Sequence, residues 1–139
     1  MRVMVIVKAN KDSEAGKVPD KKLMVEMGAF NERLAEAGVL QAMDGLKASS
    51  HGKRVKFNGP EKLVIDGPFA ETKELVSGFW IWKVRSMDEA VEWLKQAPFG
   101  GGTEVEIRPI FELEELGPEF AEELRQREGS LRARVTEHK

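Results

Sequence analysis

Five consecutive apolar residues near the start of the chain restrict its fold more than any other feature. Residues 3–7 read Val-Met-Val-Ile-Val, inside a predicted strand over residues 2–8. Because strand side chains alternate between the two faces of a sheet, a strand of this kind is expected to be buried on both faces. The segment 78–84, Gly-Phe-Trp-Ile-Trp-Lys-Val, has the same character. These two strands predict a sheet that other structure must cover on both sides.

Helices are predicted between the strands. Apolar residues recur at helical spacing over residues 20–37, and Gly38 stands where a C-terminal cap belongs. Ser86 and Glu89 have the spacing of a capping box, and Pro98 is expected to end the helix that this box begins. A last amphipathic helix is predicted over residues 118–127, with Phe120 and Leu124 facing inward and a frayed tail after it. Residues 9–19 have a loop-like composition.

Further strands complete the order of elements. They are predicted over residues 39–46 and 104–108, and a hairpin is predicted from segments 53–57 and 62–65 around Asn58-Gly59-Pro60. The order β-α-β-hairpin-β-α-β predicts an α+β, ferredoxin-like βαββαβ protomer with an inserted hairpin and an appended C-terminal helix. We expect a domain over residues 1–112 and a helical extension over 113–139.

Two helices cover only one face of such a sheet. A second copy of the chain can cover the other face, which gives a homodimer, and the appended helix is the alternative. Trp80 and Trp82 alternate along their strand and are interpreted as packing residues on the face that the partner covers.

Composition excludes several classes of function. The chain has no cysteine, which excludes disulfides and thiolate chemistry, and a cytoplasmic location is the default expectation. Its net charge of −2 argues against nucleic-acid binding, and no apolar run is long enough for a membrane span. The two histidines, His51 and His138, are far apart, so no metal and no cofactor are expected.

The stretch Val-Ile-Asp-Gly-Pro-Phe-Ala-Glu-Thr-Lys-Glu, residues 64–74, contains the leading candidate site. Asp66 follows an apolar strand and stands beside Phe69, so it is a candidate general acid or base whose pKa a partly apolar cavity could raise. Asp66 is equally a candidate turn brace for the turn-forming pair Gly67-Pro68, because aspartate side chains bond backbone N–H groups two residues on. Both interpretations stay open here.

Three further residues are candidates for a substrate pocket near Asp66. Phe69 is a candidate pocket wall, and Lys73 is a candidate for holding an anionic ligand. His51 lies in a predicted exposed hairpin approach and could act with Asp66 if the hairpin folds over a cavity.

The stretch from Asp66 to Glu74 resembles the signature of the DGPF family, part of the YCII-related group. The resemblance extends from Met1 to about Phe111 and includes Met27-Gly28, Phe30-Asn31, Ser49-Ser50, Gly78-Phe79-Trp80 and the segment 105–109. It implies a dimeric α/β-barrel of ferredoxin-like protomers and genes that lie beside extracytoplasmic-function sigma factors. It also implies a histidine–aspartate pair. Asp66 matches the aspartate, whereas residues 21–37 contain no histidine and Asn31 lies in that region.

Two hypotheses about function follow. One is a cofactor-independent enzyme that moves a proton in an isomerase or lyase type of reaction, with Asp66 as acid or base and Phe69 and Asn31 in the pocket. The other is a small-molecule-binding or regulatory accessory module without chemistry of its own. The fold does not decide between them.

Overall fold

The computed structural model describes residues 1–70 and 74–137, and the chain forms two compact units, Met1–Pro109 and Ile110–Lys139. In chain order, the first unit contains β1 (Arg2–Lys8), α1 (Lys11–Glu14), α2 (Lys21–Glu36), β2 (Leu40–Gly45), β3 (Lys53–Asn58), β4 (Glu61–Asp66), β5 (Val76–Lys83), α3 (Met87–Leu94) and β6 (Val105–Pro109).

Four of these strands form an antiparallel sheet in the order β2-β5-β1-β6. With α2 and α3 as the crossovers, this is the predicted ferredoxin-like βαββαβ arrangement, and β3 and β4 form the predicted inserted hairpin. The α+β fold class is confirmed.

The core lies between the four-stranded sheet and the helices α2 and α3. Val3 pairs with Trp82 and Val5 with Trp80 across β1 and β5, and all four side chains are buried on the helix side. They pack with Phe30 and Leu34 of α2 and Ala90 of α3. Burying one large apolar side chain contributes about 1.5–3 kcal/mol, so this cluster holds the helices to the sheet.

The prediction for Trp80 and Trp82 was wrong about the face. Both indoles belong to the core cluster with Phe30, whose ring centroid lies 6.0 Å from that of Trp80 and 6.3 Å from that of Trp82. Alternation along a strand places two side chains on one shared face but does not say which face the helices cover.

The opposite face of the sheet is less buried than the sequence predicts. Met4 and Ile6 of β1 and Phe79 and Ile81 of β5 lie on it and are half-buried. Neither α2 nor α3 packs on this face, because both helices contribute to the core cluster on the other side.

Local hydrogen bonds explain where the helices begin and end. Asp20 Oδ1 accepts from the backbone N–H of Leu23 at 2.7 Å, which caps α2, and Gly38 follows its end with φ of 74°. Ser86 Oγ accepts from the N–H of Glu89, as predicted, but Glu89 Oε2 accepts from the N–H of Arg85. Helix α3 ends at Leu94, before Pro98.

The hairpin is exposed over its whole length. Its strands pair from Lys53 with Asp66 to Asn58 with Glu61, and Gly59 takes a φ of 62° in the turn. Val55, Phe57 and Val64 share one face and are 51%, 73% and 64% exposed. A two-stranded hairpin is marginally stable by itself, so contacts at its base matter.

The second unit consists of a 3-10 turn, Leu113–Leu116, and the helix α4, Pro118–Glu137, with an ion pair of 3.1 Å between Arg125 and Glu114. The prediction of a frayed tail after residue 127 was wrong, since α4 continues to Glu137. The prediction for Phe120 was also wrong, since its side chain is 61% exposed, whereas Ala121 is buried.

The loop predicted over residues 9–19 contains the short helix α1. Asn10 and Ser13 form a reciprocal capping box at its start, which the loop-like composition of this segment did not predict. No helix in the described part of the chain is long and apolar enough to cross a membrane.

Candidate functional site

In the described part of the segment after β4, backbone N–H groups make the holding contacts and the Asp66 carboxylate does not. The Gly67–Pro68 peptide is cis. The N–H of Gly67 donates to the carbonyl oxygen of Gly52 at 3.1 Å, and the N–H of Phe69 donates to Ser49 Oγ at 3.1 Å. Asp66 Oδ1 instead accepts from Lys53 Nζ at 2.5 Å, and its side chain is 74% exposed.

Ser49 is itself held by Glu14 of α1. Glu14 Oε1 accepts from Ser49 Oγ at 2.5 Å, and Glu14 Oε2 accepts from the Ser49 backbone N–H at 2.7 Å. Both bonds lower the pKa of the Glu14 carboxyl below its ordinary value, and the bond from the Ser49 side chain has the larger effect. Because the Ser49 hydroxyl donates to Glu14, its oxygen remains free to accept from Phe69, and the three residues form one chain of hydrogen bonds.

Two further contacts complete the base of the hairpin. The guanidinium carbon of Arg54 lies 3.8 Å from the centroid of the Phe69 ring, a stacked cation–π contact on a half-buried side chain. Gly67 runs so close to Ser49 that a Cβ atom at position 67 would overlap the Ser49 carbonyl oxygen. Only glycine fits there.

A separate cavity of about 560 Å³ lies between α2, β2 and β5. Its walls are mainly apolar and rich in thioether and aromatic groups, contributed by Leu23, Met24, Met27, Met43, Trp80 and Phe99. Gly28 lies on the same wall, and a Cβ atom placed there would meet nothing within 4 Å.

Asn31 is the polar group that α2 contributes to this cavity. The indole N–H of Trp80 donates to Asn31 Oδ1 at 2.8 Å. Trp80 is 5% exposed and contacts the rings of Phe30, Trp82 and Phe99, so it is a rigid anchor for the amide.

The residues named from the sequence therefore lie in two places. Asn31 lines the cavity, whereas Asp66, Phe69 and His51 are not among its lining residues. His51 is exposed at the end of the 3-10 turn Ser49–His51 at the base of the hairpin, and no hydrogen bond joins it to Asp66 in the part of the chain that the structure describes. Lys73 lies outside the described residues.

Three residues of these sites have contacts that the sequence analysis did not predict. Glu14 and Ser49 are 35 positions apart, and nothing in either local pattern links them. Arg54 is one cation among several in the hairpin, and only the structure shows its ring partner.

The cavity wall offers no positive charge to a ligand in the part of the chain that the structure describes. Its lining contains no lysine, arginine or histidine there, and its one ionisable residue, Asp44, is exposed and pairs with Phe79 in the sheet. No group of three or more His, Asp or Glu side chains that could hold a metal ion occurs in the described ranges.

Comparison with known proteins identifies the group to which this fold belongs. The YCII-related domain matches residues 1–114. The chain belongs to the YCII-related family. An uncharacterized protein of Rhizobium meliloti (strain 1021), R00369, is 33% identical to this YCII-related protein over 97 residues, which are 68% of this chain and 77% of that protein.

The solved structures that match include that of a 5-chloro-2-hydroxyhydroquinone dehydrochlorinase (TftG) from Burkholderia phenoliruptrix AC1100 in complex with 2,5-dihydroxybenzoquinone. The match covers 79% of this chain and 94% of that chain at 18% identity, with a TM-score of 0.38. Similarity at this level says nothing about what the present chain binds.

Proposed function

We propose that this YCII-related protein binds a small, mainly apolar organic molecule in the cavity between α2, β2 and β5. The observation that carries the proposal is the cavity itself, about 560 Å³ with one fixed amide among apolar walls. Ligand sites typically measure about 300–1,000 Å³ and combine apolar walls with a few placed polar groups. Thioether side chains adapt to the shape of a ligand, and Met24, Met27 and Met43 supply three of them.

Substitution of Gly28 tests this proposal. Gly28→Leu adds a bulky side chain to the cavity lining without a clash at Cβ, and replacing a helical glycine favours α2 by about 0.5–1 kcal/mol. We expect the variant to fold and to lose binding of α-methylstyrene, an apolar aromatic probe. The matched control is Gly129→Leu, another open glycine in a helix, which should bind as the wild type does.

The readout is the indole N–H signals of the three tryptophans in a ¹⁵N-correlated NMR spectrum. Trp80 should shift on titration in the wild type and stay unchanged in Gly28→Leu. A second apolar groove of about 420 Å³ lies between α3 and β6. A probe that binds there should bind Gly28→Leu as tightly as the wild type. Binding that survives Gly28→Leu contradicts the proposed site.

Proton transfer by Asp66 is the second candidate function. The observation that favours it is that Gly52 and Ser49 hold the turn after β4, and among the described residues the Asp66 carboxylate has no backbone partner. This function requires a substrate at the base of the hairpin, because the lining of the cavity does not include Asp66. Hydrogen–deuterium exchange of the methyl protons of acetophenone in D₂O tests it. Exchange catalysed by the wild type and lost in Asp66→Asn supports it, and equal rates contradict it.

We also propose that the chain forms a homodimer through the face of the sheet that bears Met4, Ile6, Phe79 and Ile81, and that it is a cytoplasmic protein. The half-buried apolar side chains on that face support the first statement, and the absence of cysteine is compatible with the second.

A further inference from the structure

We infer that the ligand of the cavity is electrically neutral and presents a carbonyl-type oxygen to the side-chain NH₂ group of Asn31. The inference rests on the proposed function, since it names the chemistry of a ligand in the same cavity. It depends on the orientation of one amide and on the charge of the wall around it.

The orientation of the Asn31 amide follows from the chemistry of its partner. An indole N–H donates and never accepts, so the group 2.8 Å from Trp80 Nε1 must be the amide oxygen. Trp80 is packed among three other rings and cannot turn away without breaking the core. The oxygen is therefore committed to the protein, and the NH₂ group is the part of Asn31 that a ligand can use.

That NH₂ group has no acceptor among the described residues, although Asn31 is half-buried. A donor in a partly apolar site that lacks a protein partner gains most from a ligand that supplies an oxygen. The hydroxyl of Ser77, which also lines the cavity, donates instead to the carbonyl oxygens of Val7 and Lys8 at 3.3 and 3.4 Å. Asn31 is thus the side-chain donor that the lining offers.

An anion is the alternative kind of ligand, and the lining does not favour it. A carboxylate could accept from Asn31, but it would bring its charge into a lining whose described residues include no cation. Desolvating a charge without an opposite partner is unfavourable. A ketone, aldehyde, quinone or amide oxygen meets the same donor without that cost.

Three probes of similar size separate these contributions. Acetophenone carries the carbonyl oxygen, α-methylstyrene replaces that oxygen by CH₂, and benzoate carries the charge. In Asn31→Asp, an oxygen remains for the Trp80 indole while the NH₂ group is lost. We expect the dissociation constant of acetophenone, divided by that of α-methylstyrene, to rise about fivefold in this variant. We expect the wild type to bind benzoate at least about tenfold more weakly than acetophenone.

The outcomes distinguish this inference from the proposed function. A ratio that does not change in Asn31→Asp, or benzoate bound as tightly as acetophenone, overturns the inference while Gly28→Leu can still show a working cavity. If neither neutral probe binds the wild type, or if Gly28→Leu blocks neither, the proposed site itself fails. Should Asn31→Asp not fold, the comparison of benzoate with acetophenone on the wild type still tests the inference.

Discussion

At the scale of single residues, Ser49 organises the base of the hairpin and Asp66 does not. Ser49 donates to Glu14, accepts from Phe69 and places its carbonyl against Gly67. The Asp66 carboxylate faces solvent with Lys53. The sequence suggested Asp66 as a possible brace for the turn, but Ser49, 17 positions earlier, makes the contacts that hold it.

This difference predicts opposite effects of two alanine substitutions. Exposed ion pairs contribute roughly 0–1 kcal/mol, so Asp66→Ala should leave the free energy of unfolding nearly unchanged. Ser49→Ala removes hydrogen bonds to Glu14 and to the Phe69 N–H and should destabilise the protein by about 1–3 kcal/mol. Urea denaturation at matched protein concentration measures both. If Asp66→Ala lowered the free energy of unfolding as much as Ser49→Ala, Asp66 would be a turn brace after all.

At the scale of elements, the short helix α1 and the base of the hairpin form one joint through the carboxylate of Glu14. An isolated helix of one turn is not stable, and neither is an isolated hairpin. The two bonds from Ser49 to Glu14 connect these weak elements, and the strength of this joint depends on the charge of the carboxylate.

The joint predicts a pH-dependent stability. The bonds from Ser49 hold the pKa of Glu14 below its ordinary value of 4.5. A carboxyl whose pKa is lower in the folded state stabilises the fold above its unfolded pKa, and that contribution is lost as the pH falls through the folded pKa. The melting temperature of the wild type should therefore exceed that of Glu14→Gln near neutral pH, and the difference should vanish well below pH 4.5.

Thermal melts across this pH range, with Glu26→Gln on the exposed side of α2 as control, measure the effect. A difference that persists unchanged at low pH would mean that the Glu14 charge does not strengthen the joint.

The elements that were predicted from the sequence are those with a strong local pattern. The apolar run of β1, the helical spacing of Leu23, Met27, Phe30 and Leu34, and the turn Asn58-Gly59-Pro60 each specify structure within one segment. What was missed depends on contacts between segments. The face of Trp80 and Trp82 is set by α2, and the partner of Glu14 is set by the tertiary fold.

The candidate site follows the same division. The motif around Asp66 was visible in the sequence, and so was Asn31 through the family resemblance. That the two belong to different places, and that a tryptophan orients the Asn31 amide, depends on how α2 packs against β5. Periodicity places a residue on a face but does not report which polar atom of that residue is already bonded.

At the scale of the whole molecule, the unit Met1–Pro109 has two apolar surfaces that differ in kind. The outer face of the four-stranded sheet bears half-buried Met4, Ile6, Phe79 and Ile81 on paired central strands. The hairpin bears Val55, Phe57 and Val64 on one side, and these are far more exposed. A substitution on the sheet face would disrupt a homodimer formed through the sheet, and a substitution on the hairpin would disrupt one formed through the hairpin.

We expect the homodimer to form through the sheet face, since a rigid four-stranded surface loses less conformational entropy on association than a two-stranded arm. Sedimentation at several concentrations should give about twice the chain mass of 15.6 kDa. Ile81→Lys should shift the protein to the monomer, because it would bury a charge without a partner, whereas Val55→Lys on the hairpin should leave the dimer intact. Circular dichroism checks that both variants fold. A wild type that remains monomeric, or a dimer broken by Val55→Lys and kept by Ile81→Lys, would show that this face of the sheet is not the interface.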